Sequence, residues 1–317
     1  MLEDLAKSLA AHPAVIEKAT ISSAYAPAEG ISHGIPLGDD CAAIPDDLTG
    51  GHLLFAAEGM LESFVADDPW FAGYSAVMVN LSDIAAMGGR PIAITNVIWT
   101  PNITDAETIW EGMRAASIAY SIPIVGGHTT QTGLSNKSIN LAAAVLGRAG
   151  KNLLTSFDAQ AGDRLVIAID MNGAYRKDKP FWNASTTSSP EHLQRSLALL
   201  PQLAEQNLCR AAKDISNGGI IGTLAMLCHC SDVGVTLRLD SLPRPNNTDW
   251  LKWLISFPSF GYLLAVKEKD ISTVKELFHK EQITCEEIGH FTAATDFTLS
   301  LDQEARTLTL NQLSNHE

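Results

Sequence analysis

Apolar residues recur along the chain in two alternating patterns, short apolar runs and longer segments with helical spacing. From Trp70 to Met87 the apolar positions lie three or four residues apart and Gly88-Gly89 follows, which predicts a helix. The short runs predict buried strands at 52–57, 91–99, 122–125, 139–148, 165–169, 233–239, 262–266 and 283–288. Further helices are predicted at 104–120, 190–206, 218–230 and 270–279. The first of these opens on a capping box, Thr104-Asp-Ala-Glu107.

Short strands separated by helices predict an α/β (α+β) fold. With 317 residues the chain is long enough for two domains, each with its own core. The stretch from Lys151 to Asp163 is more polar than its surroundings and ends in Ala-Gly-Asp. We therefore predict an N-terminal domain at 1–155 and a C-terminal domain at 156–317.

The composition is that of a compact soluble protein, with 46% hydrophobic and 18% charged residues. No apolar run approaches the roughly 20 residues that span a bilayer. The acidic N-terminus lacks the features of a signal peptide, and the five cysteines are thinly spread. We therefore expect reduced thiols and a cytoplasmic protein. Cys228-His229-Cys230 lies in an apolar helical stretch, which favours buried thiols over a metal-ligand set.

The formal net charge of −14 argues against nucleic acid or an anionic membrane as a partner, because both reward clustered Lys and Arg. A small phosphate ligand remains compatible with this charge. Mg²⁺ binds through one or two carboxylates together with phosphate oxygens, so an acidic pocket holds a polyphosphate when the metal stands between them.

Six acidic residues occupy places that packing explains poorly: Asp39, Asp40, Glu58, Glu62, Asp83 and Asp214. A carboxylate removed from water must be paired, hydrogen-bonded or bound to metal, so these acids indicate a divalent metal and phosphate chemistry. Asn80 and Asp83 lie three positions apart on one face of an apolar helix, which predicts burial near a ligand.

Plainer interpretations stay open for several of these sites. Gly38-Asp39-Asp40 is also typical of an ordinary turn, and Asp214 before Ser216-Asn217-Gly218-Gly219 is also typical of a helix N-cap. Gly126-Gly127-His128-Thr129 follows an apolar strand and predicts a turn whose backbone amides meet a phosphate. The basic cluster Arg176-Lys177-Asp178-Lys179 fits either a solvated loop or a clamp for an anionic substrate.

The sequence contains neither a P-loop motif nor a dinucleotide fingerprint.

The order of these motifs resembles that of the aminoimidazole ribonucleotide synthetase (PurM-like) superfamily, which includes thiamine-monophosphate kinase and selenophosphate synthetase. The motifs that carry the resemblance are Gly38-Asp-Asp-Cys-Ala-Ala43, Glu58-Gly-Met-Leu-Glu62, Val79-Asn-Leu-Ser-Asp-Ile-Ala-Ala-Met-Gly88, Gly126-Gly-His-Thr129 and Asp214-Ile-Ser-Asn-Gly-Gly-Ile-Ile-Gly222. The resemblance continues at Ser231-Asp-Val-Gly234, Gly261-Tyr-Leu-Leu-Ala-Val266 and Ile288-Gly289, and it covers about residues 30 to 290 in the right order.

Three departures separate the chain from individual branches of that superfamily. The kinase usually has Thr-Asp where this chain has Ala57-Glu58, and Gly-Gly-Asp-Thr where it has His128. Selenophosphate synthetase needs a reactive Cys or Sec near its N-terminus, and no cysteine precedes Cys41 here. The chain therefore resembles a divergent synthetase-related member between the two.

The resemblance implies an ATP- and Mg²⁺-dependent enzyme that phosphorylates a small-molecule substrate. It also implies a homodimer whose N-terminal domains share a β-barrel. Carried over by position, the metal ligands would be Asp39, Asp40, Glu58, Asp83 and Asp214, with Asp83 and Asp214 in catalytic roles. The nucleotide-binding residues would be Asn80, Gly126, Gly127, His128, Thr129, Asn217 and Gly218. His128 fits a packed core histidine as readily as a functional one.

A second hypothesis is a degenerate family member that binds nucleotide without catalysis and acts as a scaffold or regulatory partner. Glu58, His128 and the missing reactive thiol favour this hypothesis. Retention of the four aspartates Asp39, Asp40, Asp83 and Asp214 favours the enzyme.

Overall fold

The computed structural model describes residues 1–20, 38–133, 138–177 and 179–309. The chain divides into two compact units. The small-sheet unit comprises Asp40–Leu153 and Ser188–Pro201, and the large-sheet unit comprises Met1–Asp39, Leu154–Thr187 and Gln202–Glu317. This mixed α/β architecture confirms the predicted fold class.

The chain passes between the two units more often than the single predicted crossing near residue 155. Residues 1–39 group with the large-sheet unit, and residues 188–201 group with the small-sheet unit. The first helix shows why, since Leu2, Leu5 and Leu9 are buried in the hydrophobic core of the large-sheet unit. An amphipathic helix reveals in its sequence that it has an apolar face but does not reveal which core receives that face.

The small-sheet unit is built on a sheet of five strands in the order β1-β2-β5-β3-β4. All pairings are antiparallel except that of β3 with β4, which is parallel. Its elements are β1 (Ala42–Asp46), β2 (Gly51–Met60), α3 (Glu62–Asp67), α4 (Pro69–Ala86), β3 (Gly89–Thr100), α5 (Ile103–Tyr120), β4 (Ile124–Gln131), β5 (Asn140–Ala149) and α6 (Pro190–Leu197).

The large-sheet unit is built on a sheet of seven strands in the order β15-β14-β10-β13-β6-β12-β9, beside a small sheet β11-β8-β7. Its helices are α1 (Leu2–Ala10), α2 (Pro13–Thr20), α8 (Gly219–Ser231), α9 (Trp250–Leu254) and α10 (Ile271–Lys280), and the division between the units falls within α7 (Leu199–Glu205). Its strands are β6 (Arg164–Ile169), β7 (Ala174–Tyr175), β8 (Phe181–Asn183), β9 (Ala211–Asp214), β10 (Gly234–Arg238), β11 (Phe257–Pro258), β12 (Gly261–Val266), β13 (Thr284–Thr292), β14 (Phe297–Leu301) and β15 (Glu304–Thr307).

The predicted helix at 70–87 is confirmed as α4, and its start is set by local chemistry. Asp68 is the N-cap, since its side chain accepts a hydrogen bond from the amide of Phe71, and Pro69 occupies the first turn. Two glycines let α4 and α5 approach closely, because a Cβ on Gly112 would lie 1.8 Å from the carbonyl oxygen of Trp70. Gly73 faces the carbonyl of Ile109 in the same way. The close crossing helps to bury most of α4.

Three predictions about local structure are wrong. Helix α5 is capped by Asn102, whose Oδ1 accepts from the amide of Asp105 at 3.0 Å, and not by Thr104. Gly126 and Gly127 lie inside strand β4 and not in a turn, because they pair with Thr95 and Asn96 of β3. The predicted helix at 190–206 is divided at Ala198 into α6 and α7.

None of the helices in the described ranges is long and apolar enough to cross a lipid bilayer.

Candidate functional site

Helix α4 carries two of the predicted site residues, Asn80 and Asp83, into the interior of the small-sheet unit. Asn80 is 0% exposed and Asp83 is 6% exposed, which confirms that this polar face is buried. The side-chain nitrogen of Asn80 donates to the carbonyl oxygens of Ala76 at 2.8 Å and of Ala143 at 3.4 Å. These two bonds tie the amide of Asn80 to both its own helix and strand β5.

Asp40 lies beside Asp83. One carboxylate oxygen of each residue lies within 4.8 Å of the other. One contact helps to explain the approach, because the amide of Cys41, next to Asp40, donates to Sδ of Met87 at 3.1 Å. Met87 follows Asp83 by about one helical turn, so the contact holds the Asp40 loop against the end of α4. Two carboxylates this close favour a bound cation, because like charges raise each other's free energy.

Glu58 lies in strand β2 on the same sheet face as Leu54 and Ala56, which are buried. The predicted strand therefore continues past Glu58 and does not end there. Glu58 is exposed, and its cross-strand partner is Ala143. Its longer side chain is thus placed on the α4 side of the sheet, where Asn80 also lies.

Strand β4 separates the members of the Gly-Gly-His-Thr motif. A Cβ on Gly127 would meet the side chain of Asn96, which is buried on the α4 side of the sheet. Successive residues of a strand face opposite sides, so His128 lies on the side away from α4. There its Nε2 is 2.8 Å from Oγ1 of Thr130. Among the motif residues only Gly127 and Thr129 share the face that carries Asn80.

Asp39 belongs to the large-sheet unit, where Ser156 engages both of its carboxylate oxygens. The hydroxyl of Ser156 donates to Oδ1 at 2.6 Å and its amide donates to Oδ2 at 2.8 Å. Ser231 in turn donates its hydroxyl to the carbonyl oxygen of Ser156 at 2.7 Å. Asp39 is therefore held in a fixed position by a hydrogen-bonded loop, which gives it a structural role of its own.

Asp214 is the last residue of edge strand β9 and is buried. The N-cap interpretation of Asp214 is wrong, because Gly218 occupies the N-cap of α8 and no side chain caps that helix. Close packing explains why glycine occupies both position 218 and position 219. A Cβ on Gly219 would lie 2.3 Å from the backbone of Ile255, and one on Gly218 would lie 3.0 Å from the carbonyl oxygen of Ala14. Asn217, between Asp214 and these glycines, is exposed.

Three buried cysteines of the large-sheet unit, Cys209, Cys228 and Cys285, are protonated thiols. Burial raises the pKa of Cys209 and of Cys285 to about 12 each, and it raises the pKa of Cys228 further still. The prediction of buried thiols in the Cys-His-Cys segment is confirmed for Cys228, whereas Cys230 is only partly buried. None of these three side chains is a thiolate nucleophile near neutral pH.

The remaining predicted features lie on the surface. Glu62 is the exposed first residue of α3. In the basic cluster, Lys177 is exposed and Arg176 is partly buried, while Asp178 lies outside the described residues. The amide of Arg176 donates to the carbonyl of Phe181 at 3.0 Å, which closes the loop between β7 and β8.

Asn96 of strand β3, which is 2% exposed, is among the buried polar residues that sequence reasoning missed. A polar residue inside the apolar run Ala93-Ile-Thr-Asn-Val-Ile98 is the only local signal for it. Its importance depends on the pairing of β3 with β4 and β5, which the sequence alone does not provide.

Comparison with known proteins shows which protein family the chain belongs to. Residues 38–149 match the family profile of the AIR synthase related protein, N-terminal domain, and residues 160–302 match that of the C-terminal domain. The chain therefore belongs to the AIR synthase related protein family, and the predicted PurM-like superfamily is confirmed.

Relatives of this chain are found among both uncharacterised proteins and enzymes. An uncharacterised protein of Synechocystis sp. is 48% identical over 87% of this chain and 84% of its own length. The thiamine-monophosphate kinase of Escherichia coli is 28% identical over 65% of this chain and 66% of its own length.

Among solved structures, the fold is similar to that of Thermotoga maritima PurL complexed with ATP. The TM-score is 0.74 at 18% identity, and the match covers 94% of this chain and 49% of the PurL chain. The present chain thus spans about half the length of that PurL polypeptide. At this identity the similarity establishes the fold alone.

Proposed function

We propose that this protein transfers a phosphoryl group from ATP to a small-molecule substrate in a Mg²⁺-dependent reaction. Support comes from a relative named thiamine-monophosphate kinase and from a protein of similar fold whose structure is named as a complex with ATP. Phosphoryl transfer needs little covalent chemistry from the protein. It needs alignment of the reactants and neutralisation of the phosphate charge.

The observation that carries the proposal is the proximity of Asp40 and Asp83. Their donor atoms are carboxylate oxygens, which Mg²⁺ prefers, and the burial of Asp83 makes an uncompensated negative charge costly there. A bound Mg²⁺ would neutralise phosphate oxygens and orient the triphosphate. Asp40 and Asp83 would hold it, and the bonds of Asn80 to Ala76 and Ala143 would keep this face of α4 in place.

The other site residues are included in the proposal because they occupy matching positions in the motifs of the superfamily. From their motifs, Asp39, Glu58 and Asp214 are proposed as further metal ligands, and a catalytic role is proposed for Asp83 and for Asp214. Nucleotide contacts are proposed for the following residues: Asn80, Gly126, Gly127, His128, Thr129, Asn217 and Gly218. The strand geometry supports Gly126 and His128 less than Gly127 and Thr129, because Gly126 and His128 lie on the sheet face opposite Asn80.

A homodimer is proposed to form through the sheet face that α4 does not cover. Phe55 and Leu146 are cross-strand partners on this face and are 49% and 39% exposed. Ile44 and Trp99 are also partly exposed on this sheet. An exposed apolar face of a sheet marks an interaction surface. The cytoplasmic location and the shared β-barrel stay predictions.

The proposal is tested by ATP turnover with Mg²⁺ across a panel of small phosphoryl acceptors. We expect the wild type to turn over ATP with at least one acceptor, and Asp83→Asn to lose at least about a hundredfold in rate because a metal ligand is weakened. Asp47→Asn, in the exposed turn after β1, is the matched control and should keep the wild-type rate. Binding of Mg·ATP without turnover of any acceptor would favour the non-catalytic scaffold. Absence of nucleotide binding would contradict both hypotheses.

A further inference from the structure

A groove open to solvent lies at the end of strand β5, and all of its lining residues belong to the small-sheet unit. Its volume is about 470 Å³, within the range of roughly 300–1,000 Å³ that small-molecule pockets occupy. Three of the lining residues are basic, namely Arg90, Arg148 and Lys151, and none of the described residues that line the groove is acidic. The groove is therefore a cationic surface in a chain whose formal net charge is −14.

The two arginines are cross-strand partners. Arg90 of β3 pairs with Arg148 of β5 in an antiparallel register, which places their Cβ atoms about 4.5–5.5 Å apart on one face of the sheet. Like charges directly opposite each other destabilise a sheet. Lys151, three positions after Arg148, is exposed and adds a third positive charge to the same groove. An anion bound between these side chains would relieve their repulsion.

The carboxylate that approaches Arg148 does not balance this charge. Oδ2 of Asp46 lies 3.7 Å from Nε of Arg148. The same carboxylate already accepts hydrogen bonds within its own turn, from the hydroxyl of Thr49 at 2.8 Å and from the amide of Leu48 at 3.2 Å. Asp47 of this turn is exposed and does not line the groove. One carboxylate against three cationic side chains leaves two net positive charges.

The groove also has an apolar part, which is shaped by a bulge in β3. Pro91 and Ala93 pair with consecutive residues of β5, so Ile92 is an extra residue without a partner on that strand. Ile92 is 41% exposed and lines the groove together with Pro91. Gly51 of β2 leaves room beside them, because a Cβ there would lie 2.4 Å from the carbonyl oxygen of Ala149.

The chemistry of the groove restricts what binds there. The guanidinium group of arginine donates two parallel hydrogen bonds to a phosphate or a carboxylate. A phosphate monoester carries about two negative charges near neutral pH, which matches the two net positive charges better than a single carboxylate does. The apolar residues Pro91 and Ile92 can contact the organic part of such a molecule.

We propose that Arg90, Arg148 and Lys151 bind the phosphate group of a small phosphomonoester in this groove. The site is separate from Asp83, because Arg148 alternates with Leu146 on the sheet face that α4 does not cover. It lies at the end of the face proposed for the dimer, where β5 stops at Ala149. The proposed ATP chemistry is not required for it.

The site is tested by isothermal titration calorimetry without nucleotide or divalent metal, so that a phosphate held through Mg²⁺ is not counted. The full chain is used in the oligomeric state that it adopts in solution. The probes are glycerol 3-phosphate, inorganic phosphate and glycerol, which separate the contribution of the phosphate group from that of the organic part.

We expect saturable binding of both phosphates by the wild type and no binding of glycerol. Arg148→Ala should weaken the binding of both phosphates about tenfold or more, because hydrogen bonds between charged groups are lost. Arg148→Lys keeps the charge but not the planar fork, so it should weaken binding by a smaller factor. Arg114→Ala, at an exposed position of α5, removes the same charge elsewhere and should bind as the wild type does.

Three results would overturn the proposal. The first is the absence of saturable binding of either phosphate by the wild type. The second is equal weakening by Arg148→Ala and Arg114→Ala, which would indicate a general attraction of anions. The third is binding of inorganic phosphate but not of glycerol 3-phosphate, since a phosphomonoester would then not be the ligand. None of these results depends on whether the protein turns over ATP.

Discussion

A Cβ atom on Gly127 would lie 2.6 Å from the side-chain nitrogen of Asn96. Real Cβ atoms do not approach other heavy atoms this closely, so the amide of Asn96 occupies the space that any side chain at position 127 would need. The adjacent Gly126 differs, because its nearest neighbour would be Cγ2 of Thr95 at 3.8 Å. One of two consecutive glycines is thus required by packing and the other is not.

We therefore expect Gly127→Ala to lower the free energy of unfolding by about 1–3 kcal/mol, the usual cost of overpacking. Gly126→Ala should change it by less than about 0.5 kcal/mol, as at an ordinary surface position. Urea denaturation of both variants measures the difference. Equal values for the two would show that Asn96 moves aside without cost.

A second prediction concerns which residue, Asn102 or Thr104, caps the N-terminus of α5. Asn102→Ala should cost about 1 kcal/mol of stability, because Oδ1 of Asn102 satisfies the amide of Asp105. Thr104→Ala should cost less than about 0.5 kcal/mol, since Thr104 is exposed within the first turn. Urea denaturation measures the free energy of unfolding of both variants. A larger loss of stability for Thr104→Ala than for Asn102→Ala would support the capping box predicted from the sequence.

We expect the protein to lose stability at alkaline pH, because its buried thiols stay protonated in the folded state. Burial raises the pKa of Cys209 from the usual 9.0 of a solvated thiol to about 12. Above pH 9 the unfolded chain loses this proton while the folded chain keeps it, so the thiol's contribution to stability falls as pH rises from 9 towards 12. The fall approaches about 1.4 kcal/mol per pH unit for one such group.

Cys209→Ala should therefore flatten the decline in unfolding free energy between pH 9 and pH 10.5 relative to the wild type. Cys285→Ala should do the same, because burial also raises the pKa of Cys285 to about 12. Urea denaturation at a series of pH values gives the slopes. Curves that stay parallel to the wild-type curve would contradict the assignment of buried neutral thiols.

The proposed dimer face has its own matched pair of variants. Leu146→Glu places a charge in the exposed apolar face of the sheet and should convert the dimer to a monomer, because a buried unpaired charge is costly. Leu48→Glu is the control, since Leu48 lies in the turn after β1 and is 97% exposed. Sedimentation equilibrium measures the mass. A monomeric wild type would contradict the proposed homodimer directly.

The parts of the fold that sequence predicted well are those with strong local signals. Helix α4 has helical apolar spacing, a proline at its start and glycines after its end, so its bounds agree with prediction within a residue or two. Asp83 was identifiable because an acid within such an apolar helix has no local explanation. Both conclusions need only the sequence around them.

The parts that prediction missed depend on pairing between distant segments. Gly126-Gly127 has the composition of a turn, and only the partnership of β4 with β3 makes it part of a strand. Asn96 was missed for a similar reason, since a lone Asn in a strand becomes notable only when its cross-strand neighbours are known. The sequence likewise did not reveal that Leu2, Leu5 and Leu9 are buried in the core of the large-sheet unit, because a local apolar face does not identify the core that buries it.

The N-terminal helix α1 packs on the last strands of the large sheet, and Arg306 of β15 reaches Glu3 at 3.7 Å. This arrangement sets an order for folding during synthesis. The strands and helices of residues 40–153 emerge early and have their main partners close by in sequence, whereas Leu2, Leu5 and Leu9 wait for segments near the opposite end of the polypeptide. Until those segments have been synthesised, the apolar face of the first helix has no core to pack against.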